Sequence, residues 1–231
     1  MRPACKLPVV VAILTSCLGL AGAGRTAEAA APPPAGAQAD AVGEARRVEE
    51  VLNGVRGLIA SFTQTVESPG LPRPQIEKGT VYLLRPGRMR FQYDIPKGKL
   101  AVADGRKTYL YLPEERQVLV APLDPRSPAS GVSILMQRID LVSTFAVSWG
   151  AGPERGPRPL MLSPRAPQPE YEYLLLTTGP DRLVRSLTIV EPLGSRVTYR
   201  LDRLRQVDTL DDELFEFSPP AGIEVQEVGP S

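Results

Sequence analysis

Residues 85–96, RPGRMRFQYDIP, alternate between polar and apolar side chains for most of their length. A Pro-Gly turn dipeptide stands near their start, and Met89, Phe91 and Tyr93 then occupy every second position. Side chains two residues apart share one face of a β-strand. The stretch therefore predicts the turn and the return strand of a β-hairpin that has one apolar face.

The same alternation recurs through much of the chain, which has 25 prolines and 20 glycines among its 231 residues. Proline and glycine at this density favour short strands joined by turns over long helices. Short links such as the Asp-Gly pair at 104–105 make neighbouring strands antiparallel. The pattern predicts a mainly β fold with about ten or eleven strands in one sheet that curls. The predicted strands lie at about 61–67, 77–85, 88–95, 98–104, 107–113, 116–122, 171–177, 183–190 and 195–203. The final stretch at 214–225 is predicted to form a last short strand and then a proline stop.

Two segments have the three- and four-residue apolar spacing of an amphipathic helix instead. The first, at about 43–60, is long enough to cover the concave face of a curled sheet. Its apolar positions are Val48, Val51, Leu52, Val55, Leu58, Ile59 and Phe62. The second is shorter, at 129–142, and includes Leu135 and Met136. Residues 150–169 are rich in proline, glycine and arginine and are predicted to include a loop.

The N-terminus has the pattern of a secretory signal peptide, with Arg2 and Lys6 before an apolar run and then small residues. We expect a signal peptide over 1–24, a disordered Ala/Pro-rich linker over 25–42, and one domain over 43–228. Ordinary processing would cut between residues 23 and 31. A second route stays open, because residues 14–17 resemble a lipobox in which Cys17 would be lipidated.

The chain has no sequence signature of catalysis. Histidine is absent, and both cysteines, Cys5 and Cys17, lie in the predicted leader. A domain without either residue lacks the commonest general base and the commonest zinc ligands. We therefore expect neither an enzyme nor a cofactor or metal site. The acidic cluster at 211–213 is interpreted as a solvated turn before the last strand.

Charge gives no reason to expect a nucleic-acid partner. The formal net charge is +1, so no global attraction to polyanions arises. Residues 85–116 are locally basic and contain tyrosines, a combination that can bind nucleic acid. A secreted protein rarely meets nucleic acid, and the alternation of Arg88, Arg90 and Gln92 predicts a solvated outer sheet face instead.

The apolar face of the hairpin allows two interpretations. Tyr82 and Leu84 are predicted to join Met89, Phe91 and Tyr93 on the inside of the curl. Leu100 and Val102 continue the series, as do either Leu110 and Leu112 or Tyr109 and Tyr111. A filled interior would be an ordinary core. A gap between the same side chains would be a pocket for an alkyl chain.

Four sequence words in order resemble the LolA family of periplasmic lipoprotein carriers. They are SFTQT at 61–65, KGTVYLLRPGRMRFQYDIP at 78–96, Asp-Gly with TYLYLPEERQV at 104–118, and FEFSPPAGIEV at 215–225. The resemblance implies an unclosed β-barrel of about eleven antiparallel strands, in which helices cover a hydrophobic cavity for lipoprotein acyl chains. It also implies loading by an inner-membrane ABC transporter, delivery to an outer-membrane lipoprotein acceptor, and a periplasmic monomer.

The resemblance assigns roles to individual residues. Arg85 matches an arginine that bonds to the backbone of the lid helix and keeps the empty cavity closed, and the lid here would include residues 129–142. Met89 and Phe91 match aromatic cavity-lining positions, of which Met89 departs from the aromatic type. The expected lining comprises Tyr82, Leu84, Met89, Phe91, Tyr93, Leu135 and Met136.

Two other functions stay open at this point. A chain anchored through Cys17 would act as a membrane-bound lipoprotein acceptor, similar to LolB, which has the same fold. Related curled sheets also serve as envelope-stress sensors that bind a signalling partner. A hydrolase is disfavoured by the missing histidine and motifs.

Overall fold

A computed structural model describes residues 35–123, 131–135, 137–152 and 157–228. Twelve strands form one sheet within these ranges. The first six are β1 (Gly57–Glu67), β2 (Gln75–Leu84), β3 (Arg88–Ile95), β4 (Leu100–Asp104), β5 (Lys107–Leu112) and β6 (Gln117–Pro122). The others are β7 (Phe145–Trp149), β8 (Leu160–Pro164), β9 (Tyr173–Thr178), β10 (Val184–Val190), β11 (Arg196–Val207) and β12 (Glu224–Glu227).

The sheet consists of two antiparallel meanders, β1–β6 and β7–β11, which are joined where β1 pairs with β11. Strands β12 and β7 are its two edges, so the sheet does not close on itself. The predicted mainly β, unclosed single sheet is confirmed. One pairing departs from the antiparallel pattern, because β12 runs parallel to β6.

The sequence analysis placed no strands at β7 and β8. Strand β7 is only five residues long, and β8 lies in the passage that its prolines marked as a loop. Pro159 directly precedes β8, and Pro164 is its last residue. A proline at a strand end interrupts no central ladder. The prolines therefore bound the strand without preventing it, and the described ranges contain twelve strands. The predicted last strand before the prolines at 219–220 is wrong, because Asp212–Phe215 is a 3₁₀ helix and β12 follows the prolines.

The long helix α1 spans Ala35–Gly54, earlier than the predicted 43–60. Residues 35–42, which the sequence analysis placed in the linker, belong to this helix. Its buried side chains recur at helical spacing, at Ala41, Ala45, Val48 and Leu52. Leu58 and Phe62 belong to β1 instead, where buried residues alternate. A spacing of four fits both a helix and a strand, which explains the misplaced C-terminal end of the helix.

The predicted helix at 129–142 is not one helix. Its described part comprises a 3₁₀ helix at Gly131–Leu135 and an irregular stretch that leads to the short helix α2, at Leu141–Thr144. Asp140 caps α2, because its side chain accepts a hydrogen bond from the backbone N–H of Ser143. We refer to α1 together with residues 131–135 and 137–144 as the cover.

The hydrophobic core lies between the cover and one side of the sheet, which we call the inner face. Val48 and Leu52 of α1, with Ile134 and Leu135 of the 3₁₀ helix, belong to the same buried cluster as the inner-face residues. An amphipathic helix requires a partner for its apolar stripe. The inner face is that partner, so cover and sheet bury each other.

Candidate functional site

Four buried aromatic rings occupy the middle of the inner face. The ring of Phe62 meets those of Phe91 and Tyr93 edge to face, with centroids 4.9 and 5.0 Å apart. Phe91 also contacts Tyr199, at 5.5 Å between centroids. Edge-to-face contacts between aromatic rings stabilise a fold by more than the burial of their apolar surface alone would give. In this closed arrangement the inner face is thus a packed core.

Several of the predicted lining residues lie on this surface. Met89, Phe91 and Tyr93 alternate along β3 and are buried in the core. Leu135 approaches the same core from the 3₁₀ helix and is 4% exposed. Met136 lies outside the described residues. Strand β3 and the cover therefore contribute to the same hydrophobic core.

Tyr82 and Leu84 lie on the opposite, outer face, contrary to the prediction. Leu84 pairs with Arg88 across the hairpin, and Tyr82 pairs with Arg90. Directly paired residues share a face of the sheet. The hairpin loop has three residues, so Leu83 and not Leu84 pairs with Met89 on the inner face.

The same register decides the faces of β4 and β5. Ala101 and Ala103 point inward, whereas Val102 pairs with Arg90 on the outer side. Of the two alternatives for β5, Leu110 is the residue in the core. On the inner face these two alanines are paired with the larger side chains of Phe91 and Met89.

Arg85 joins the residue that follows α1, Val55, to the 3₁₀ helix of the cover. Its guanidinium donates to the carbonyl oxygen of Val55 at 3.3 Å and to that of Leu135 at 3.2 Å. Burial, with a smaller effect from the positive charge of Arg138, lowers the pKa of Arg85 to about 10. The side chain is therefore still charged at neutral pH, and its hydrogen bonds to backbone carbonyls are charge-assisted.

Two further side chains of α1 hold the cover together. The amide of Asn53 donates to the carbonyl of Ile139 at 2.9 Å and accepts from its N–H at 3.1 Å. The carboxylate of Glu49 accepts from the backbone N–H of Leu141 at 2.7 Å. These partners are backbone groups, which helical periodicity does not identify. Sequence reasoning consequently missed both residues.

The cavity that Arg85 helps to line is small. A cavity of about 30 Å³ lies where the end of α1, the 3₁₀ helix and the sheet meet. A void of this size accommodates about one or two water molecules. Any alkyl chain therefore has to displace the cover from the inner face. The lining residues are Leu52, Val55, Arg56, Gly57, Leu58, Leu83, Arg85, Leu135, Leu183, Val184, Leu201 and Leu204.

A buried polar layer lies on the inner face beside the four aromatic rings, on the side away from Arg85. Lys99 Nζ is 2.7 and 2.9 Å from the two carboxylate oxygens of Glu77. The hydroxyl of Tyr93 donates to Gln64 Oε1 at 2.8 Å. Burial raises the pKa of Tyr93 well above its usual value, and burial lowers the pKa of Lys99 against the opposing effect of Glu77. Glu77 shares the alternation of Val81 and Leu83, which the sequence analysis had assigned to the outer face, so its burial was missed.

A wider groove of about 810 Å³ lies between α1 and the strands β7–β9. Trp149 forms part of its wall, and the guanidinium of Arg158 lies 5.8 Å from the centre of the indole ring. The groove also contains Asp40, Glu44 and Arg185. Charged groups lose hydration when an alkyl chain covers them. The groove is therefore less suited to acyl chains than the inner face.

Comparison with known families agrees with this architecture. A family model described as "Outer membrane lipoprotein carrier protein LolA" matches residues 53–218, well over half of the chain. The chain belongs to the LolA family. The match extends from the end of α1 almost to β12, so this LolA-family protein has the family's domain across nearly the whole described sheet.

Curated relatives support the same assignment. An outer-membrane lipoprotein carrier protein from Chromohalobacter salexigens is 32% identical over 83% of this chain and 90% of its own length. A relative with the same description from Methylococcus capsulatus is 31% identical over 78% of this chain and 86% of its own length. The similarity therefore covers most of both proteins in each comparison.

The outer face of this LolA-family sheet is not fully solvated, contrary to the prediction for its basic strand β3. Residues 212–217 lie against it, where Arg88 pairs with Asp212 and its guanidinium lies 5.5 Å from the ring centre of Phe215. Arg90 donates to the carbonyl of Leu214 at 3.1 Å. These two arginines bind the chain's own C-terminal segment.

Two further findings concern the described residues. None of the helices in these ranges is long and apolar enough to cross a membrane. Within the same ranges, no group of three or more acidic residues, histidines or cysteines is placed to hold a metal ion.

Proposed function

We propose that this protein carries lipoproteins by binding their acyl chains between the cover and the inner face. The observation that supports this most is the attachment of the cover through Arg85. Polar contacts at the ends of α1 and the 3₁₀ helix hold the cover over a continuous apolar surface. These contacts are not part of the strand ladders, so they can break without removing any strand pairing.

Opening and closing of the cover would serve uptake and release. Displacement of the 3₁₀ helix would expose inner-face residues such as Leu83 and Met89 to an acyl chain. Burial of the chain would contribute about 0.8 kcal/mol for each methylene. The empty protein recloses over its own core, so the free energy of opening weakens net binding. This balance lets one site bind acyl chains and still release them.

Transfer of a lipoprotein between two membranes requires two partner proteins. A lipoprotein that leaves one membrane requires a donor there and a receiver at the next. We propose the inner-membrane ABC transporter as the donor and an outer-membrane lipoprotein acceptor as the receiver, with the protein acting in the periplasm. Transport of this kind changes no covalent bond, so the proposed role is not enzymatic and requires no cofactor.

A shuttle must be free of the membrane. We propose that ordinary signal cleavage removes Cys17, which lies outside the described residues. Mass spectrometry of the mature N-terminus tests this proposal directly. A first residue between 23 and 31 is expected, whereas a diacylglyceryl-modified Cys17 at the N-terminus would indicate an anchored acceptor instead.

Binding of cargo is tested with one lipoprotein in two forms. The purified mature protein is mixed with a triacylated lipoprotein, and separately with the same polypeptide made without its acyl chains. Size-exclusion chromatography in detergent-free buffer should give a soluble complex with the acylated form alone. A complex with both forms would contradict the proposal, as would a complex with neither.

A further inference from the structure

The buried pair of Glu77 and Lys99 lies far from Arg85. Glu77 precedes Leu83 by six residues along β2, and a strand rises roughly 3.4 Å per residue. The pair is therefore roughly 20 Å from the Arg85 end of the inner face. Its side chains are 9% and 3% exposed.

Polar groups from neighbouring strands extend this pair into a layer. Gln64 comes from β1, Glu77 from β2, Tyr93 from β3, and Lys99 from the residue before β4. The ammonium group of Lys99 lies 4.4 Å from the centre of the Tyr93 ring, which links the ion pair to the Tyr93–Gln64 hydrogen bond. With backbone and side chain counted together, each of the four residues is at most 7% exposed. The layer thus runs across four neighbouring strands, β1 to β4, roughly at right angles to them.

Stability alone gives little reason for such a layer. Two charges lose their hydration when buried, and well-packed apolar residues in their place are often equally stable or more so. The layer has a different effect on an alkyl chain that enters from the Arg85 end. An alkyl chain forms no hydrogen bonds, so passing between these groups would leave them buried and unpaired.

We propose that Gln64, Glu77, Tyr93 and Lys99 form the floor of the acyl-chain site and set the longest chain that it accommodates. This inference rests on the proposed function. The length between Arg85 and the floor fits acyl chains of the bilayer type, since one leaflet of a hydrocarbon core about 30 Å thick spans roughly 15 Å. The floor therefore makes chain length a determinant of specificity.

The test uses a double variant, Glu77→Leu with Lys99→Met, which removes both charges together and leaves neither unpaired. The probes are synthetic triacylated lipopeptides with lauroyl, myristoyl, palmitoyl, stearoyl or arachidoyl chains. Affinity for the wild-type protein should stop rising once a chain reaches the floor. In the variant it should continue to rise, by up to about fourfold for each added methylene. The longest chain should thus bind the variant about tenfold more tightly or better.

A surface pair provides the matched control. Asp181 lies in the loop before β10, and Arg185 lies on β10. Arg185 Nη2 is 2.7 Å from Asp181 Oδ2, and the side chains of Asp181 and Arg185 are 48% and 35% exposed. In the control variant, Asp181→Leu with Arg185→Met, affinity should depend on acyl-chain length as it does in the wild-type protein. A second variant, Gln64→Leu with Tyr93→Phe, opens the other half of the layer and should extend the profile in the same direction. It serves as the test if the first variant does not fold.

The outcomes separate the two proposals. If the wild-type protein binds the lipopeptides and the folded floor variants show the same dependence of affinity on chain length, the proposed floor is wrong and the proposed function stands. A folded wild-type protein that binds none of the lipopeptides would overturn the proposed function and the floor together. An extended profile in the floor variants, with no extension in the surface control, would support both.

Discussion

Arg85 Nη2 lies 3.2 Å from the carbonyl oxygen of Leu135, which is fifty residues away along the chain. The same guanidinium reaches Val55 at the end of α1. One side chain of the β2–β3 loop thus holds both the residue that follows α1 and the last residue of the 3₁₀ helix. Both acceptors are backbone carbonyls, so these contacts depend on where the cover lies and not on the side chains that it presents.

Replacement of Arg85 by leucine should make the protein bind acylated cargo more tightly and release it more slowly. The charged hydrogen bonds stabilise the closed state by about 1.5 kcal/mol, and apparent affinity rises with the population of the open state. We expect about a tenfold gain in affinity for a triacylated lipopeptide. Titration of a fluorescent lipopeptide, followed by competition for release, measures both effects.

Arg90 provides the matched control for this variant. It also donates from its guanidinium to a backbone carbonyl, that of Leu214, but on the outer face. Arg90→Leu should leave the affinity and the release rate at wild-type values. Equal effects of Arg85→Leu and Arg90→Leu would show that loss of any buried arginine bond matters, and would contradict the specific role of Arg85.

The Glu77–Lys99 pair should behave as a coupled unit in unfolding experiments. Either Glu77→Leu or Lys99→Met alone leaves one buried charge without its partner and should destabilise the protein by about 3–5 kcal/mol. The double variant should recover most of this loss. Urea unfolding of all four proteins gives the coupling free energy, and additive losses would contradict the pairing.

Gly79 tests the packing of β2 on β3. A Cβ at this position would lie 2.0 Å from the carbonyl oxygen of Gln92 and 2.9 Å from the ring of Phe62. Gly79→Ala should therefore cost about 3 kcal/mol of unfolding free energy. Gly43 in α1 has open space around it, so Gly43→Ala should stabilise the protein by about 0.5–1 kcal/mol. Thermal melts that place both variants on the same side of wild type would contradict this account.

Asp140 should make the cover sensitive to acid. The backbone N–H of Ser143 donates to its carboxylate at 2.9 Å and lowers the pKa of Asp140 below its usual 3.8. The unfolded chain therefore binds this proton more readily. The stabilisation is present above pH 3.8 and is lost as the pH falls through the folded-state pKa.

The variant Asp140→Asn isolates this effect, because asparagine is an equally good helix cap and does not titrate. The wild-type melting temperature should fall more steeply than that of the variant as the pH drops below 3.8. Parallel curves for the two proteins over this range would show that Asp140 does not titrate with folding.

Local patterns in the sequence were sufficient to predict the main architecture. Alternation along β3 identified Met89, Phe91 and Tyr93 as one face because a strand repeats every two residues. The face of β2 was wrong, since it depends on the length of the hairpin loop and not on β2 itself. A three-residue loop changes which residue pairs with Met89, and alternation within a strand carries no information about that.

Contacts between distant segments could not be predicted in this way. The ion pair of Glu77 with Lys99 depends on the register of three strands, and the bonds of Asn53 to Ile139 depend on where the cover lies. The assignment of Arg85 came from family resemblance and not from local pattern. Glu77 shares the alternation of Val81 and Leu83, so its place on the inner face followed only once the register of β2 with β3 was known.

The most direct test of acyl-chain binding under the cover is photo-crosslinking from two positions of β3 that lie on opposite faces of the sheet. A photoreactive amino acid is placed at Met89 on the inner face, or at Gln92 on the outer face, and the protein is loaded with a lipopeptide whose acyl chains are isotopically labelled. Mass spectrometry should find acyl-chain adducts from position 89 and none from position 92. Adducts from position 92 alone, or equally from both positions, would contradict binding between the cover and the inner face.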